Sequence, residues 1–199
     1  MRPTRLLTAA VASAALLALL PAAAAADIFV SPFLGVKFKG ATNELAFGNG
    51  ADNVKLSLGL SGIVLADKGV GIETEFGYNP RFFDGGELGT RSGVTTLFGN
   101  VVAALPLNVT RESLRPYAIG GLGWIHASAN DLIGFGRFSN DFLGLAVGGG
   151  AIGFVTATTG LRFDLRYMKA ISSGDISSLP DQGSARISFW RATVGVVFR

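Results

Sequence analysis

Strand-length alternation with charge kept to one side is the feature that most limits what this chain can become. Over residues 161–167, Leu161, Phe163, Leu165 and Tyr167 alternate with Arg162, Asp164 and Arg166. A period of two puts the two sets on opposite faces of an extended strand. Three more segments repeat the pattern. Leu56, Leu58 and Leu60 oppose Lys55, Ser57, Gly59 and Ser61, and Ile72, Thr74, Phe76 and Tyr78 oppose Glu73 and Glu75. Trp190, Ala192, Val194, Val196 and Phe198 oppose Arg191 and Thr193. These runs predict strands over 54–65, 70–79, 160–170 and 186–198, and further strands are predicted over 28–39, 93–105, 115–126 and 142–155. In 93–105 and 142–155 both faces are apolar, and in 115–126 glycine blurs the period, so the phase of these three stays open.

The connections carry a second pattern. Those at 66–69, 106–114 and 156–159 are short, whereas 40–53, 80–92, 127–141 and 171–185 are longer and rich in Gly, Asn, Asp and Ser. Strict alternation of long and short is the habit of an up-and-down barrel with its long loops at one end. Ahead of the strands, residues 1–26 carry Arg2 and Arg5, an apolar run from Leu6 to Leu20 and a small-residue stretch ending at Ala26. That order is the signal-peptide pattern, so 1–26 are expected to be a cleaved signal peptide and 27–199 the barrel.

Composition narrows the function. The chain is 49% hydrophobic and 16% charged, with one His and no Cys. Disulfide frameworks and thiolate metal sites are excluded, and disorder is disfavoured. The formal charge of +3 falls to +1 without the leader arginines, so composition gives no support for nucleic-acid binding.

Period alone does not distinguish a soluble lipocalin-type barrel from a membrane barrel with its charges inside. Three features favour the membrane. The apolar faces are nearly free of charge, and the charges on the other face are mixed in sign. Aromatics also stand near strand ends: Phe38, Tyr78, Tyr167 and Trp190 near the long connections, Tyr117 and Phe198 near the short ones. The fold class read from the sequence is therefore all-β, an eight-stranded antiparallel up-and-down transmembrane β-barrel.

Three segments carry a family resemblance: the Ala-rich leader, the run Arg115-Pro116-Tyr117-Ala118-Ile119-Gly120-Gly121-Leu122-Gly123-Trp124, and the terminal strand ending on Phe198. In these the chain resembles the small eight-stranded outer-membrane barrels of OmpA/OmpX type, over nearly all of 27–199. Arg199 departs from the family habit of ending on the aromatic. The resemblance implies a cell outer-membrane location with both termini periplasmic, and barrel-insertion machinery as an assembly partner. Outer-membrane lipid and lipopolysaccharide are the partners it suggests, for a monomer with no nucleic-acid ligand.

With the apolar face toward lipid, Glu73, Glu75, Arg162, Asp164, Arg166 and Arg191 are expected to form a charge network in the lumen, joined by Lys37 and Lys55. Buried charges must pair, and eight strands leave room for side chains only. Leu161, Phe163, Leu165, Val194, Val196 and Phe198 are expected to face lipid.

No catalytic, cofactor or metal residues are assigned. His126 and Ser128 share a strand face near Asp131, but a triad needs positioned partners. The lipid A deacylase barrels carry a His-x-Ser pair near the C-terminal end, where this chain reads Leu165-Arg166-Tyr167-Met168-Lys169-Ala170 without His. Asp131, Asn140 and Asp141 offer oxygen ligands for calcium but read as a solvated loop. The expected function is a non-enzymatic structural or surface-interaction role carried by loops containing Phe47, Arg81, Phe82, Phe83, Phe135, Arg137 and Phe138. Those Phe residues either contact a partner or pack back on the barrel rim. The alternatives are a narrow conduit for ions or small apolar molecules and, less favoured, a lipid-modifying enzyme.

Overall fold

The computed structural model describes residues 26–42, 54–82, 91–106, 110, 114–130, 137–171 and 187–199. They form eight strands: β1 (Ala26–Thr42), β2 (Lys55–Ala66), β3 (Val70–Pro80), β4 (Arg91–Ala104), β5 (Arg115–Asn130), β6 (Arg137–Phe154), β7 (Thr159–Ala170) and β8 (Ile187–Phe198). Each pairs antiparallel with its neighbours in chain order, and β1 meets β8 to close the barrel. Closure runs from Val30 opposite Phe198 to Phe38 opposite Trp190, and the register slips between Phe38 and Ala41. Lys39 sits at the slip with φ 49°, as a bulged strand end requires. A closed barrel leaves no sheet edge, which is the condition for strands in hydrocarbon.

Every strand buries one face and exposes the other. The outside carries Leu56, Leu58, Leu60, Phe76, Leu122, Leu143, Leu145 and Val147, each between 38% and 53% exposed. The inside carries the charges. Apolar side chains also fill the inside, but a soluble barrel would not set an apolar face outward as this one does.

The three strands of open phase share one cause: most of their inward positions are apolar or glycine. In β4 the inward set includes Val94, Thr96, Phe98, Asn100 and Val102, in β5 Tyr117, Ile119 and Ile125, and in β6 Phe142, Ala146 and Ile152. Glycine at 148 and 150 completes the inward face of β6. A Cβ at Gly150 would come within 2.6 Å of the Tyr117 hydroxyl, so glycine there makes room for a large neighbour.

Some expectations need correction. The connection placed at 127–141 is mostly strand, because pairing continues from His126 opposite Asp141 to Asn130 opposite Arg137. Its polar residues suggested a loop, yet on the outer face they pair across the hairpin. Asn140 and Asp141 therefore point to opposite sides of β6 and do not share a cation. Tyr117 is not an interfacial aromatic. It points inward and is 6% exposed. Phe82 packs back: it is wholly buried, edge-on to Phe189 at 5.1 Å, with the Lys37 ammonium 4.3 Å from its ring. Residues 1–25, Phe47, Phe83, Asp131 and Phe135 lie outside the described residues.

Candidate functional site: a charged layer between two apolar layers

The lumen is stacked in three layers. Toward the short turns, Phe29, Ile63, Leu65, Val102, Ile119, Ile152 and Val197 pack together with Tyr117. Toward the long connections, Phe82, Val94, Phe98, Ile125, Phe142, Met168 and Phe189 form a second apolar cluster. Between them lie the ionised side chains. The period of β3 and β7 dictates this: inward positions 73 and 75 face inward positions 162, 164 and 166 across a barrel one side chain wide.

Three guanidinium groups meet three carboxylates. Arg162 reaches Glu73 at 2.6 Å and Asp164 at 3.0 Å. Arg166 lies 3.0 Å from Glu73, 2.7 Å from Glu75 and 2.5 Å from Asp164. Arg191 pairs with Glu75 through Nη2. All six side chains are at most 6% exposed. Equal numbers of opposite charge in contact are how such groups can leave water, since each lone one would cost several kcal/mol.

Neutral donors and acceptors complete the network. Asn100 Nδ2 donates to Glu73 at 2.9 Å, and Arg162 Nη1 donates to the Ser61 hydroxyl at 2.8 Å. The Tyr117 hydroxyl donates to Asp164 and accepts from Arg162 Nε at 2.6 Å, joining a β5 side chain to two from β7. Arg191 crosses the lumen, with its guanidinium 4.9 Å from the Phe33 ring. A Cβ at Gly77 would come within 2.8 Å of Arg191 Nη1, so glycine lets that long side chain reach the far wall.

The structure thus brings together all six charged residues singled out from the sequence. Lys37 is buried nearby, and Lys55 is half-buried opposite it on β2. Tyr117 and Asn100 were missed. Counting by two from Arg115 would have turned Tyr117 inward, whereas nothing in the apolar run of β4 marked Asn100. Leu161, Phe163, Leu165, Val194, Val196 and Phe198 all point outward, between 37% and 57% exposed. Among the described residues no group of His, Cys, Asp and Glu could hold a metal ion.

The fold recurs in solved structures of low sequence identity. Neisserial surface protein A matches with TM-score 0.60 at 15% identity, covering 86% of this chain and 97% of that one. OprG from Pseudomonas aeruginosa matches with TM-score 0.58 at 17% identity, covering 88% and 95%. Ail, the attachment invasion locus protein of Yersinia pestis, solved in complex with the heparin analogue sucrose octasulfate, matches with TM-score 0.53 at 14% identity, covering 87% and 98%. Comparison with curated protein sequences finds no match. The family model described as the outer membrane protein beta-barrel domain matches residues 12–198. With closed topology, an apolar exterior and a match over nearly the whole chain, this protein belongs to the outer-membrane β-barrel domain family.

Proposed function

We propose that the protein is a closed, monomeric outer-membrane barrel with a structural and surface-interaction role, its long connections outside the cell and both termini periplasmic. The observation that carries this is the layered lumen. Three ion-paired guanidiniums are sealed between two apolar clusters, which leaves side chains where a water column would run. Ions crossing it would have to displace the paired charges. The alternative, a narrow conduit, needs one apolar layer to part.

The exposed wall then faces lipid through Leu161, Phe163, Leu165, Val194, Val196 and Phe198. At the long-connection end Lys39, Arg81 and Lys169 are exposed beside Asp141, and these three cations suit anionic headgroups such as those of lipopolysaccharide. Ail was crystallised with a heparin analogue, a polyanion, which sets a parallel for anion recognition on this fold. The test is planar-bilayer conductance of the folded protein. Silence is expected, and steady single-channel steps would favour the conduit.

A further inference from the structure

The β5–β6 hairpin carries a polar cluster on a wall that is otherwise apolar. Trp124, His126 and Ser128 of β5 stand on the outer face beside Ser139 and Asp141 of β6. His126, the single histidine of the chain, is held on three sides. Its Nδ1 lies 2.7 Å from Asp141 Oδ1, its Nε2 lies 3.5 Å from Ser139 Oγ, and its ring stacks on Trp124 at 5.2 Å. A hydroxyl on one imidazole nitrogen and a carboxylate on the other is the order of a serine-hydrolase relay. The Ser–His separation is longer than a working hydrogen bond, as in many resting sites that tighten on substrate.

We propose that Ser139, His126 and Asp141 form a hydrolytic site on the outer wall, with the acyl ester of a membrane lipid as its substrate class. The depth selects the substrate. One pair further along the hairpin is Trp124–Leu143, then Leu122–Leu145, where the apolar wall begins. An acyl chain lying on Leu122, Leu143 and Leu145 brings its ester to the level of His126. Ser139 Oγ adds to the ester carbonyl carbon while its proton passes to His126 Nε2. The tetrahedral intermediate collapses with loss of the lipid alkoxy group, which takes that proton and departs as the alcohol. Water, losing a proton to His126, then attacks the acyl-serine, and the fatty acid leaves as Ser139 regains its proton. Asp141 is a positioning residue that holds the Nδ1–H and stabilises the imidazolium. The proposal goes beyond the surface role, does not depend on a silent lumen, and departs from the expectation of a non-enzymatic protein.

The experiment uses the whole folded protein in lipid vesicles, with folding checked by heat-modifiable gel migration. A fluorophosphonate probe is expected to label Ser139, located by peptide mass. Ser139→Ala and His126→Asn should each lower labelling at least about 100-fold, in the range of a lost nucleophile or general base. Ser128→Ala should leave it unchanged, because that hydroxyl bonds Gly93 O instead. Asp141→Asn should lower the rate and Asp141→Glu should recover part of it, a rescue that a merely structural role would not give. Fatty-acid release is then measured from phosphatidylglycerol vesicles and from lipopolysaccharide, and the active arm identifies the lipid. Absence of labelling on the folded wild type, labelling at Ser128, full labelling of His126→Asn, or release from neither lipid overturns the proposal.

Discussion

At the scale of single residues, the lumen works by leaving no charge alone. Arg166 contacts all three carboxylates, so its removal strips each of a partner at once. Arg166→Ala should destabilise the barrel by about 3–5 kcal/mol, the cost of leaving buried partners uncompensated. Urea unfolding from lipid vesicles measures it, and a change within about 0.5 kcal/mol would mean that these groups meet water. Tyr117→Phe is a finer probe, because it keeps the ring and removes the hydroxyl that joins Asp164 to Arg162. A loss of about 1–3 kcal/mol is expected from the unsatisfied groups it leaves. The charged residues were legible in the sequence because they alternate with leucine and phenylalanine. Their pairing was not, because it depends on which strands face each other and at what height.

At the scale of elements, legibility followed the chemistry of the inward face. β2, β3, β7 and β8 have polar or charged inward positions, and a period of two shows through. β4, β5 and β6 line the apolar layers, where Phe98, Ile125 and Phe142 point inward while leucines point outward. With oil on both faces of β4 and β6, and glycine through β5, the period is lost. The β5–β6 hairpin was hidden differently, since Ser128, Ser139 and Asp141 read as loop residues until the register set Asp141 opposite His126. The outer wall also shows a depth rule. Lys169 is exposed near the rim, whereas Leu165, four residues deeper on the same face, is apolar. Leu165→Arg should cost about 2–4 kcal/mol and Lys169→Arg almost nothing, because a charge costs most at the bilayer midplane. Equal effects in the same unfolding assay would remove the midplane from β7.

At the scale of the whole molecule, closure is what lets the strands span hydrocarbon, and β8 supplies both of its last seams, with β1 and with β7. Deleting residues 190–199 should leave two raw edges and yield no heat-modifiable species in the outer membrane. Normal assembly of that truncation would contradict the closing register. The central claim is that charge lies inside and the apolar wall meets lipid. Its most direct measurement is a single-cysteine scan with a lipid-dissolved thiol probe, which is clean because the chain has no cysteine. Positions 161, 163, 165, 194 and 196 are expected to label. Positions 168 and 189, held by the equally apolar but inward Met168 and Phe189, are expected to stay protected. Strong labelling at 168 and 189 with protection at 161, 163 and 165 would turn the barrel inside out and contradict the membrane orientation of every strand.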